Sequence, residues 1–175
     1  MEPDASISPG AICSIGSGLK SNIWVCNNSF YGIKGTSGNA KADVVYTSSG
    51  IITNVYTFNN VWESSFWSIP LSSWPVTAFA TNGFYNMTGD NKPTDTTGQI
   101  NGSSTTFVNP ATYDFRLKSG GYAVNSGMNL NNYFTTDIAG NTRTLPFDVG
   151  AYKYQSNSLT NTINIISSRF NLLIN

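Results

Sequence analysis

Histidine is absent from the 175-residue chain. Its absence excludes Ser-His-Asp and Cys-His nucleophile systems and any imidazole-bound metal. Charge is scarce too: nine Lys and Arg face nine Asp and Glu, for a formal net charge of zero. The cations Lys20, Lys34, Lys41, Lys92, Arg116, Lys118, Arg143, Lys153 and Arg169 are scattered. Phosphate recognition needs them clustered, so no nucleic acid is expected as a partner. The two cysteines, Cys13 and Cys26, lack the C-x-x-C spacing of a redox or zinc motif. They read either as one disulfide of an oxidising compartment or as two buried thiols. No run of about 18 apolar residues occurs, so no membrane span is expected. Gly16-Ser17-Gly18-Leu19-Lys20 lacks the spacing of a phosphate loop. No metal and no cofactor is expected.

What the chain does contain is uncharged polarity and aromatic rings: ten Phe, nine Tyr and four Trp among many Asn, Ser, Thr and Gly. That mixture fits an extracellular or cell-surface β protein that meets sugars or another protein surface. The length suits one domain with a sizeable core. Between Phe107 and Tyr152 no stripe at helical spacing is present. Phe115 and Leu117 alternate with Asp114 and Arg116, the period of a strand with one wet face. Gly120-Gly121, Gly127 and Gly140-Asn141 supply turns.

Three segments repeat: Ile23-Trp24-Val25-Cys26-Asn27-Asn28-Ser29-Phe30, Val55-Tyr56-Thr57-Phe58-Asn59-Asn60-Val61-Trp62, and Thr77-Ala78-Phe79-Ala80-Thr81-Asn82-Gly83-Phe84. Each is a short β run, a polar pair ending in Asn, and then an aromatic two residues on. Asn28 to Asn60 is 32 residues and Asn60 to Asn82 is 22. The second interval suits one turn of a solenoid, and the first suits one turn plus a loop at 35–41. Stacked coils would pile Asn upon Asn in a hydrogen-bonded ladder. The fold class expected is therefore all-β, a short parallel β-helix, with a β-sandwich as the alternative. Loops are expected around Pro70 to Pro75 and Asp90 to Gly98.

The order Phe107-Val108-Asn109-Pro110, Asp114-Phe115-Arg116-Leu117, Ala123-Val124-Asn125-Ser126-Gly127, Asp137-Ile138-Ala139-Gly140-Asn141-Thr142-Arg143 and Asp148-Val149-Gly150-Ala151-Tyr152 resembles the C-terminal end of a known family. These are the secreted right-handed parallel β-helix proteins, the pectate-lyase-like repeat proteins of bacterial surfaces. The likeness is close over 105–154 and looser over 18–89. Gly121-Tyr122 stands where the family has Ser-Pro, which implies a different turn. Asn125 stands for the family's Asp and removes a charge that ion binding there would use. The resemblance implies right-handed coils over 1–154, ending in a terminal motif at 105–154, and a longer parent chain. The start Met1-Glu2-Pro3-Asp4-Ala5 does not read as a secretory leader. Residues 155–175 are expected either to cover an open coil end or to reach a partner chain.

Nothing in the pattern brings two carboxylates to the roughly 5–10 Å separation that glycoside hydrolysis needs. Asp43 and Glu63 could lie on neighbouring coils but read as solvated surface, and no catalytic residue is assigned. Asp137 and Arg143 read as a structural pair pinning the loop between them, with Asp148 accepting hydrogen bonds from a turn; the three form the expected structural cap. Strand parity points Ile23, Val25, Val55, Thr57, Thr77 and Phe79 inward. Trp24, Cys26, Tyr56, Phe58, Ala78 and Ala80 then point outward. Trp24, Tyr56 and Phe58 become the candidate ligand-binding residues, because the C–H face of a sugar packs on aromatic rings. The other reading covers these rings with a loop such as 62–74 or another protomer. The leading functional expectation is a polysaccharide-binding or end-capping part of a carbohydrate-active surface protein. A structural or adhesive subunit of a fibre, spike or surface assembly is the alternative, and a small polysaccharide lyase or hydrolase the third. The expected partners are a polysaccharide or glycan, further β-helix coils or identical subunits.

Overall fold

The three repeated segments become strands because β-branched and aromatic residues alternate across a pleat. Asn or Thr then breaks each run at a fixed place. The computed structural model describes residues 13–15, 19–33, 45–47, 51–65, 76–88 and 98–156. In order these hold β1 (Cys13–Ile15), β2 (Leu19–Cys26), β3 (Ser29–Tyr31), β4 (Val45–Thr47), β5 (Ile51–Phe58), β6 (Val61–Glu63), β7 (Val76–Ala80), β8 (Gly83–Tyr85), β9 (Ile100–Asn101), β10 (Phe107–Asn109) and β11 (Asp114–Leu117). Among the described residues a single 3₁₀ turn spans Pro110–Thr112, and no α-helix occurs. None of them forms a helix long and apolar enough to cross a membrane.

The protein is all-β with parallel sheets. One runs β2-β5-β7, a second β3-β6-β8-β9, and a third pairs β1 with β4; among the described strands only β10 and β11 pair antiparallel. Trp24 pairs with Tyr56, which pairs with Ala78, while Phe30 pairs with Trp62 and then with Phe84. The repeats thus lie in layers at the predicted offsets. Parallel long-range pairing removes the β-sandwich alternative, which is built from antiparallel sheets. The described sheets do not close into a solenoid. The stretches between layers, including the loops expected at 35–41, 70–75 and 90–98 (save Gly98), lie outside the described residues, as does the tail from 157 onward.

Each layer bends where one residue enters the left-handed region. Asn27 (φ 54°), Asn59 (55°), Thr81 (53°) and Gly98 (82°) turn the chain between the two large sheets. A second bend falls at Asn22 (59°) and Asn54 (55°), and a third at Gly32 (67°), Ser64 (51°) and Asn86 (51°). Asn is common at such positions because its short amide bonds locally and tolerates positive φ.

Behind the first bend stands the expected ladder. Asn60 Oδ1 accepts from the Asn28 backbone N–H (3.0 Å) and Nδ2 (2.9 Å). Asn82 Oδ1 accepts from the Asn60 backbone N–H (3.0 Å) and Nδ2 (2.9 Å). The remaining amide protons go to carbonyls: Asn60 Nδ2 to Val25 (2.8 Å) and Asn82 Nδ2 to Thr57 (2.8 Å). Asn60 and Asn82 are fully buried, so these bonds form away from competing water.

Inward parity holds for Val25, Val55 and Thr57, which are buried. The side chains of Thr77 and Phe79 lie outside the described residues. In the second sheet Phe30, Trp62 and Phe84 stack along the layers at 5.1 and 5.5 Å, with interplanar angles of 26° and 12°. Burying each ring contributes about 2 kcal/mol.

All three residues of β6 are buried, so both faces of the sheet are covered at that strand. The cover on the far side is the terminal segment. Its Phe107, Leu117, Ala123 and Val149 close over Val61, while Leu130 and Phe147 close over Phe58. The segment does not sit on the end of the stack. It runs along the side and grips every layer: Ala151 N–H donates to Ser29 Oγ (3.0 Å), Gly150 N–H to the Asn59 carbonyl (2.7 Å), and the Tyr122 ring packs on Gly83 and Gly102. The segment is a lateral brace.

Candidate functional site

Outward parity brings the expected rings together. Trp24 stacks on Tyr56 with centroids 4.4 Å apart and an interplanar angle of 25°. Trp24 is 42% exposed, whereas Phe58 is only 8% exposed beneath Leu130 and Phe147. Phe58 points away from the layer interior as read from the sequence, but the brace covers it, so it offers no binding surface. The ring that replaces it is Tyr133, 63% exposed and 4.7 Å from Trp24. No local pattern around Tyr133 marks it; its place depends on where the brace lands.

These rings border a cleft of about 250 Å³ lined by Trp24, Cys26, Leu130, Tyr133 and Phe134. A second cleft of about 170 Å³ shares Cys26 and Phe134 and adds Asn27, Asn28, Thr136 and Arg143. Each is smaller than the roughly 300 Å³ common for drug-sized ligands, so each suits one group of a larger molecule. Cys26 is a free thiol. Burial pushes its pKa up, against a hydrogen bond with the Phe58 backbone, so it is a poor nucleophile.

Asp137, Arg143 and Asp148 all lie in the brace and are all buried. Asp137 Oδ1 accepts from the N–H groups of Ala139 (2.9 Å) and Asn141 (2.8 Å). Its Oδ2 accepts from Asn141 Nδ2 (3.0 Å) and the Lys153 N–H (2.9 Å). Burial alone would raise this carboxyl; the four hydrogen bonds outweigh it and hold the pKa below the usual range. Asp148 accepts from the N–H groups of Asn125 (2.7 Å) and Tyr154 (2.8 Å), a turn-binding role. Arg143 does not form the expected pair with Asp137. Its guanidinium donates to the carbonyls of Asp148, Gly150 and Ala151 instead. Burial lowers its pKa, and the nearby charges of Asp137 and Asp148 oppose that. The only ion pair among the described residues is the exposed one between Arg116 and Asp114.

Glu63 corrects a second expectation. It is fully buried rather than solvated, because the brace folds over β6. Its carboxylate accepts from Thr105 Oγ1 and from the Thr106 N–H (2.7 Å). The Tyr122 hydroxyl faces it without a well-formed hydrogen bond. Burial raises the pKa of Glu63 above its ordinary value; the contacts with Thr105, Thr106, Tyr122 and Lys118 oppose the rise. Burial, together with the adjacent carboxylate, also drives the Tyr122 phenol upward. Among the described residues no acid interacts with Glu63. Asp43, Asp90 and Asp95 lie outside the described residues.

A carboxyl whose pKa is raised on folding stabilises the fold fully below its unfolded value and loses that contribution as pH rises through the folded value. Glu63→Gln is therefore expected to melt at a higher temperature than wild type at pH 8, with the gap closing toward pH 4. The amide can donate to Thr105 Oγ1 while still accepting from the Thr106 N–H. Melting curves across that range check it; a variant less stable than wild type at pH 8 would show that the ionised carboxylate is worth more than its burial costs.

Taken together, the geometry defines an all-β protein of parallel layers, tied by polar corners and clasped by one lateral segment. Compared with protein-family models, with curated proteins and with solved structures, the chain matches none.

Proposed function

We propose that the chain is a polysaccharide-binding module of a secreted or cell-surface β-helix protein, without catalysis of its own. In this reading the layers are right-handed coils completed by the stretches between the strands, and the brace ties them together along one side. The observation that carries it is the exposed Trp24–Tyr56 stack with Tyr133 beside an apolar-walled cleft. Exposed aromatic clusters in a chain with so few charges favour a neutral, ring-shaped partner over an ionic one. Glu63, shut beneath the brace and with no acidic partner among the described residues, favours a binding role over hydrolysis.

Glycan-array binding followed by titration calorimetry tests the reading. Trp24→Ala is expected to weaken binding by about tenfold, the loss of one stacked ring contact. Tyr56→Ala should weaken it less, because Tyr56 lies half-buried under Trp24. Failure of the wild-type chain to retain any glycan ends this reading. A stable trimer or polymer on size-exclusion chromatography with light scattering, combined with that failure, would favour the assembly-subunit alternative.

A further inference from the structure

Two residues that line the cleft beside the aromatic rings carry polar atoms with no partner among the described residues. Arg143 is 5% exposed, and its Nε–H is buried without a partner. Asn27 lines the same cleft, and both its Oδ1 and its Nδ2 are buried without partners. Groups left so cost about 1–3 kcal/mol each unless something binds them. The two donors and one acceptor stand against an apolar wall that includes Phe134 and Ile138.

One layer down, the equivalent residue shows what such a corner recognises. Asn59 Nδ2 donates to the Met128 carbonyl (2.9 Å), and its Oδ1 accepts from the Met128 N–H (2.9 Å). A corner asparagine thus already pairs with a donor and an acceptor, the N–H and C=O that one residue contributes from two successive peptide groups. At Asn27 the brace supplies no such partner.

We infer that this cleft binds the acetamido group of an N-acetylated amino sugar, whose ring rests against Trp24 and Tyr133 in the adjoining cleft. The inference rests on the proposed glycan-binding role and names the sugar class. The acetamido carbonyl accepts from Arg143 Nε–H and Asn27 Nδ2, a ring hydroxyl beside it donates to Asn27 Oδ1, and its methyl meets Phe134 and Ile138. Cys26 and Phe134 wall both clefts, which makes the two subsites adjacent. Charge selects a neutral group over a carboxylate. The single cation, Arg143, already feels two carboxylates, Asp137 and Asp148, so a further anion meets net repulsion.

The test uses the whole chain on an array pairing N-acetylglucosamine and N-acetylgalactosamine oligomers with the matching oligomers that carry a hydroxyl instead. An acetyl-lysine peptide is included as a non-sugar source of the same group. Acetamido glycans are expected to bind about tenfold more tightly than their hydroxyl counterparts, the effect of the paired hydrogen bonds. Asn27→Gly should erase that preference, since glycine keeps the positive φ of the corner and removes only the amide. Circular dichroism and melting confirm that the variant folds.

Equal affinity for the two glycan sets, or a preference that survives Asn27→Gly, overturns the subsite assignment. If binding then still falls with Trp24→Ala, the glycan-binding reading stands without it. Stronger binding of the acetyl-lysine peptide than of every glycan overturns the sugar. A chain that retains no glycan at all overturns both.

Discussion

Asn60→Ala is expected to lower the unfolding free energy by about 4 kcal/mol, because several buried groups lose partners at once and each costs about 1–3 kcal/mol. The Asn28 N–H and Nδ2 lose their acceptor, and the Val25 carbonyl loses a donor. Asn82 Oδ1 keeps only the backbone N–H of residue 60. Water cannot take over easily, since Asn60 and Asn82 are both fully buried. Asn28, half-buried at the outer rung, offers the comparison. Asn28→Ala removes one rung end next to solvent and is expected to cost about 1 kcal/mol. Urea unfolding of the two variants at similar m-values checks the ratio. Equal costs would mean that the ladder is ordinary turn bonding rather than a cooperative spine.

The second large effect concerns the slot that anchors the brace. A Cβ on residue 102 would lie 2.2 and 2.3 Å from Cδ1 and Cε1 of Tyr122, and one on residue 83 would lie 2.6 Å from its Cε2. The ring is held between two glycines on adjacent layers, so it cannot escape one clash without deepening the other. Gly102→Ala is expected to cost about 3 kcal/mol, the upper end of overpacking penalties. The same change made in a Tyr122→Ala background should cost far less, because the ring it strikes is gone. A double-mutant cycle measures that coupling. Near-additive costs would mean that residue 102 is constrained by something other than Tyr122.

The layered, parallel arrangement was legible in the chain because two local signals coincide. Alternation sets which residues face inward, and the Asn at the end of each run sets where the chain bends. Trp24 over Tyr56 and Asn28 over Asn60 over Asn82 followed from those two alone. Phe58 and Glu63 were not legible in the same way. Parity says which side of a sheet a residue leaves from, but not what waits there. Their cover comes from far along the chain; Asn59, next to Phe58, bonds a residue 69 positions away. Tyr133 escaped notice for the same reason, as did the mismatch between Arg143 and Asp137. In the terminal motif, carboxylates and guanidinium bind main chain, and no residue-type pairing rule reveals that. Gly83 held a usable hint: in register with Val61, it leaves a gap on the sheet that some distant ring has to fill.

The corner asparagines are separated by 32 residues and then 22, yet they meet with the same bonds at the same distances, 3.0 and 2.9 Å. Gly83 reaches its next partner, Ile100, across a shorter interval still. The same corner bonds thus accommodate intervals of different length along the chain. Evolution can lengthen, trim or replace the intervening stretches as interchangeable parts, much as panels are swapped on a fixed frame. New recognition surfaces can arise there while the joints keep the building upright.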